Sequence, residues 1–96
     1  MLDGWSDELS ATVRRIQLEF PNRGQSSEMA LEAARKTQGL PVYCDIGGCL
    51  ILMSDGRVLQ YASIDGGIAE VTDRQWLLRA RVAAAKAFPE LGVLVP

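Results

Sequence analysis

The amino-acid sequence predicts an α+β domain: two N-terminal helices, a three-stranded antiparallel meander and a C-terminal helix. Two apolar runs, Leu50-Ile51-Leu52-Met53 and Val58-Leu59-Gln60-Tyr61, flank Asp55-Gly56. This is the strongest short-range hairpin signal, because a two-residue type I′ turn needs positive φ at both central positions. Apolar residues recur at helical spacing before this segment and again after it. The 96 residues, with no repeat, linker or low-complexity run, make one domain, 1–96.

Ser6 suits an N-cap, and Asp7 and Glu8 follow where the helix dipole favours negative charge. Leu9, Val13, Ile16 and Phe20 then form one stripe, which Trp5 extends backwards, until Pro21 stops the helix. Asn22-Arg23-Gly24 supplies a turn, and Ser26 or Ser27 opens a second helix with a small-residue face of Ala30, Leu31, Ala33 and Ala34. Gly39 before Leu40-Pro41 reads as the glycine that ends it.

In the sheet, a two-residue loop at Asp55-Gly56 places Leu52 opposite Leu59 and Leu50 opposite Tyr61. A second loop at Gly47-Gly48 places Cys44 opposite Ile51, unless that pair is a bulge within one long strand. One face then carries Val42, Cys44, Ile46, Cys49, Ile51, Met53, Val58 and Ala62, with Gln60 its polar member. The other carries Tyr43, Asp45, Leu50, Leu52, Leu59 and Tyr61, and is either covered by a helix or open to a partner. A one-residue slip would exchange the faces.

Thr72-Asp73-Arg74-Gln75 matches a capping box, with Thr72 as N-cap, and the third helix is expected over Asp73 to Phe88. Trp76, Ala80, Ala83, Ala84 and Ala87 fall on its expected core face, flanked by Leu77. Leu78, Val82 and Ala85 form a second stripe between Arg74, Arg81, Arg79 and Lys86. Aliphatic arginine stems covering that stripe is the preferred reading, and a contact surface joining two copies the alternative. Leu91 to Pro96 is an apolar tail.

The net charge is −2 and there is no histidine. The net charge argues against nucleic-acid binding, which favours a basic stripe or a basic domain. No run approaches a membrane span and the start lacks a basic leader, so the expected location is the cytoplasm. Without histidine the commonest general base is missing, and no glycine pair fits a phosphate-binding loop. The chain is expected not to be an enzyme and to need no cofactor. Cys44 and Cys49 are expected to be buried reduced thiols, since no other ligand completes a zinc site. Charge is uneven: Asp45, Asp55, Asp65, Glu70 and Asp73 oppose only Arg57, whereas Arg74, Arg79, Arg81 and Lys86 oppose only Glu90.

The segment Ala30-Leu31-Glu32-Ala33-Ala34-Arg35, then Leu40-Pro41-Val42-Tyr43, Gly47-Gly48, the Ser54-Asp55-Gly56 turn and Trp76 opening an alanine-rich helix resemble a family in layout. That family is the small bacterial immunity proteins encoded beside polymorphic or type VI secretion toxins. The resemblance implies a noncatalytic cytosolic protein that binds one cognate toxin, the product of an adjacent gene, and blocks its active site. The second sheet face supplies the expected partner site, with Tyr43, Asp45, Leu52, Leu59 and Tyr61 at its centre. Asp55, Asp65 and Glu70 would give it an acidic rim suited to a basic toxin site. A small self-associating structural or regulatory domain is the alternative.

Overall fold

The computed structural model describes residues 6–23 and 26–92. Within them the order is α1 (Asp7–Glu19), a short 3-10 turn (Phe20–Asn22), α2 (Glu28–Thr37), β1 (Leu40–Asp45), β2 (Gly48–Leu52) and β3 (Val58–Ala62). β4 (Ile68–Glu70), α3 (Arg74–Ala87) and the single-turn α4 (Pro89–Gly92) complete it. The class is α+β as expected, but the antiparallel meander has four strands, in the order β1-β2-β3-β4. The extra strand β4 pairs with β3 and is exposed along its length. Only three residues long, it is too short to show a period in the sequence.

The helix starts and stops follow local chemistry. The Ser6 and Ser27 hydroxyls accept the amides of Leu9 and Ala30, each at 3.1 Å. Asp73, not Thr72, caps α3: its carboxylate accepts from Gln75 and Trp76 at 2.8 and 3.3 Å. At the end of α2 the left-handed residue is Gln38 (φ 57°), one position before the expected glycine. Gly39 is needed for space instead, since a Cβ there would collide with Ile51 Cγ2 and Met53 Sδ. The expected extension of the α1 stripe to Trp5, Gly24 of the first turn, and the tail beyond Gly92 lie outside the described residues.

Both hairpins form, but each with a different loop from the expected one. Between β2 and β3 the Met53 amide donates to Arg57 O at 2.8 Å and the Gly56 amide to Met53 O at 3.0 Å, with Gly56 at φ 94°. This is the three-residue loop Ser54-Asp55-Gly56, a turn followed by one left-handed glycine. Leu52 therefore pairs with Val58, Ile51 with Leu59 and Cys49 with Tyr61. The pairing is one residue from the expected register, and it exchanges the faces of β3.

Between β1 and β2 the loop is Ile46-Gly47, with Asp45 opposite Gly48. Asp45 Oδ1 captures the Gly47 amide at 2.8 Å, which starts the turn one position early. Gly48 (φ 150°) belongs to the strand, where a Cβ would overlap the Tyr61 carbonyl oxygen. Ile46 is thus a turn residue at 96% exposure rather than a core residue. The two-residue shift also sets Cys44 directly opposite Cys49, with Cα atoms 4.1 Å apart, and the two form a disulfide. This overturns the expectation of reduced thiols facing other residues.

The main core lies on the face that carries Leu40, Leu50, Leu52 and Val58. Leu9, Val13, Ile16 and Phe20 of the N-terminal helix and turn, Ala80 and Ala84 of α3, and Leu91 pack there. On the opposite face Ala33 and Met29 of α2 pack with Cys49, Ile51 and Tyr61. The chain ends are joined at Glu90, which Arg23 reaches at 2.7 Å and Arg15 at 3.6 Å, while Arg23 also lies 5.6 Å from the Phe88 ring centre.

Two expectations follow. Tyr61 is buried under α2 whereas Tyr43 is half exposed, so Tyr61→Ala should lose about 3 kcal/mol or more and Tyr43→Ala about 1 or less, read by urea unfolding. The hydrogen bond from Arg23, opposed by some desolvation, holds Glu90 below the ordinary 4.5. Its contribution is therefore fully present above about 4.5 and lost as pH falls through its folded-state value. Glu90→Gln should lower the melting temperature at neutral pH and flatten its acid-side decline.

Candidate functional site

The expected partner face does not exist as one surface, because the exchanged register distributes its members over both sides of the sheet. Tyr61 is 4% exposed and Leu52 fully buried, on opposite faces, and Leu59 is half-buried beside α2. Tyr43, paired with Leu50, is the one aromatic residue of the set that remains accessible, at 50%.

The expected acidic rim is divided as well. Asp55 and Glu70 both meet Arg57, at 2.7 and 3.6 Å. Burial of Asp55 works to raise its carboxyl, but the Arg57 amide and guanidinium outweigh it and hold the group below its usual range. Asp45 and Asp65 lie at the other end of the strands, where each accepts a loop amide, from Gly47 and Gly67, at 2.8 Å. All three aspartates thus perform turn chemistry.

A different site is present between α3 and the sheet. The buried side of α3 is formed by Ala80, Ala84 and the half-buried Leu77. Relative to the expected face, the helix is turned about its axis toward Leu77, away from Trp76 and Ala87, which are exposed. Trp76 is 45% exposed and does not anchor the core. Leu78 and Val82 are also exposed, at 61% and 60%, so arginine stems do not cover them.

These side chains line a groove of about 630 Å³. Tyr43 and Leu50 from the sheet meet Trp76, Leu78, Val82 and Ala83 from α3 there, and Asp45, Arg79 and Lys86 bring charge to it. A smaller hollow shares Tyr43, Leu50 and Trp76 and continues to Gln60 and the Gly47-Gly48 turn.

Among the described residues the charged lining of the groove is two bases, Arg79 and Lys86, against one acid, Asp45. Arg74, Arg79, Arg81 and Lys86 are the charged residues of α3, which carries no acid. Arg15, Arg23, Arg35, Lys36 and Arg57 each meet a carboxylate within 4.0 Å. Among the described residues none of the α3 bases does. Arg79 instead lies over the Trp76 ring, 4.8 Å from its centre, which keeps the indole and the charge side by side. The Arg81 Nε is buried without a hydrogen-bond partner among the described residues.

The groove is apolar and aromatic, with charged side chains at its edge. Among the described residues no group of three or more potential metal ligands occurs, and no helix is long and apolar enough to cross a membrane. Fold and site define a small α+β domain with an open, basic-edged apolar groove. Comparison of the chain with protein-family models, curated proteins and solved structures finds no match.

The outer stripe of α3 was readable from its period, and so were its unopposed bases. Tyr43 and Trp76 as its neighbours were not, since their meeting depends on the rotation of α3 and the pairing of Tyr43 with Leu50. Trp76→Ala should therefore change unfolding free energy by about 1 kcal/mol or less, far below the ~3–5 kcal/mol of a buried tryptophan. A loss in the larger range by urea unfolding would place the indole in the core.

Proposed function

We propose that the chain is a noncatalytic protein-binding domain of the immunity type, which neutralises a cognate toxin encoded by an adjacent gene by covering its active site. The observation that carries this is the groove: Tyr43, Trp76, Leu78 and Val82 are exposed together on a well-packed domain. Contiguous apolar surface edged with charge is typical of interfaces, and tyrosine, tryptophan and arginine dominate their energetics. The unopposed bases of α3 favour a partner whose contact surface is acidic, the reverse of the basic toxin site expected from the sheet's carboxylates.

The compartment belongs to the same proposal. A cytoplasmic location was expected, but the Cys44–Cys49 bond favours an oxidising compartment, where disulfides persist. A toxin acting in the cell envelope is therefore a second partner class within this reading.

The chain should copurify with the product of the adjacent toxin gene when the two are co-expressed. Trp76→Ala with Val82→Glu should weaken that complex by at least about 30-fold, the equivalent of ~2 kcal/mol, with the melting temperature nearly unchanged. Full affinity in the folded double variant would remove the groove from the interface.

A further inference from the structure

Two large apolar side chains are more exposed than any in the groove: Ile46 at 96% and Ile64 at 94%. Ile46 occupies the β1–β2 turn and Ile64 the loop between β3 and β4. The two loops are fastened together, since Ser63 donates its amide to Gly47 O at 3.1 Å and its hydroxyl to Ile46 O at 2.9 Å. Asp45 and Asp65 stand beside the isoleucines, their carboxylates fixed by the Gly47 and Gly67 amides. The result is one braced projection with two apolar side chains and two acids at its tip. Nothing in the fold requires β-branched residues there, for glycine, asparagine, aspartate and serine are the residues that turns favour.

This tip is the chemical complement of the groove. The tip is apolar with carboxylates beside it. The groove is apolar with Arg79 and Lys86 beside it, and Asp45 is the one acid among the described residues of its lining. The two adjoin, because Asp45 lines the groove and directly precedes Ile46. We infer that in the free protein the groove is filled by the loop tip of a second copy, giving a closed two-fold dimer. A two-fold axis between tip and groove lets each copy insert Ile46 and Ile64 into the other's groove, so both patches are satisfied and no end remains for further growth. The inference rests on the groove being a protein-binding surface. It adds that a cognate partner and the second copy compete for it.

Sedimentation equilibrium of the full chain, without any partner, tests this. The wild type should be a dimer whose dissociation constant rises with added salt, since the tip carboxylates meet the α3 bases. Ile46→Ser with Ile64→Ser should raise that constant by at least about 100-fold with an unchanged melting temperature, because both sites are almost wholly exposed. Val82→Glu should do the same from the groove side. Mixing these two monomeric variants should restore a weaker heterodimer, since one tip and one groove remain intact. A wild type that is monomeric at high concentration overturns the inference and leaves the partner-copurification result to decide the groove's role. A loop-tip variant that stays dimeric while Val82→Glu dissociates also overturns it, in favour of α3 pairing with α3.

Discussion

The left-handed glycine at position 56 sets the arrangement of the whole domain. With Gly56 at φ 94° the β2–β3 loop has three residues, and the count of residues in that loop decides which side of β3 faces which helix. Val58 then joins Leu52 under α1 and α3, while Tyr61 joins Cys49 and Ile51 under α2. A two-residue loop would have put Leu59 and Tyr61 beside Leu50 and Leu52 and turned Val58 toward α2. Strand side chains alternate strictly, so no intermediate arrangement is available.

The second hairpin works differently, because next to its turn the shift is by two residues and keeps the faces, while an irregularity between Pro41 and Tyr43 carries Val42 from its expected place with Cys49 and Ile51 to the side of Leu50 and Leu52. Next to the turn it changes which residues are opposite one another, and so brings Cys44 to Cys49. Its turn is set by the Asp45 carboxylate and by Gly48, whose strand position leaves no space for a side chain next to Tyr61. The sequence Asp45-Ile46-Gly47-Gly48 thus contains two glycines with different duties. The first is reached by an aspartate's hydrogen bond, and the second passes close to a neighbouring carbonyl.

This explains how much could be read from residues alone. The stripe Leu9, Val13, Ile16 and Phe20 was legible because helical burial depends on a period spanning several turns, which one local irregularity does not disturb. The Ser6 cap and the Asp-Gly hairpin were legible because each is a local motif with its own hydrogen bonds. Register was not, since Asp55-Gly56 is equally compatible with the second and third residues of a three-residue loop. Trp76 shows the other limit. An alanine-rich helix has no large residue to mark its buried side, so Ala80 and Ala84 with Leu77 and Ala80 and Ala84 with Trp76 are nearly equivalent on a helical wheel. The choice falls to the sheet, where Val42 and Leu50 share one core with Ala80 and Ala84.

The open groove follows from the same geometry. α3 lies on β1 and β2, and beyond it on the same side of the sheet Gln60 and Ala69, paired across β3 and β4, are exposed. The margin of that exposed area is the line from Trp76 through Leu50 to Tyr43. Small residues let α3 approach the sheet closely, and that closeness leaves its larger residues, Leu78 and Val82, on the outer side with no second layer to bury them. A helix can place only one face against a sheet, so an apolar stripe on its other face contributes little to the stability of this single domain. Its place beside a tyrosine, a tryptophan and arginines without carboxylate partners among the described residues gives that stripe a composition typical of interfaces, and the proposed dimer sets the isoleucine-tipped loops of a second copy against it.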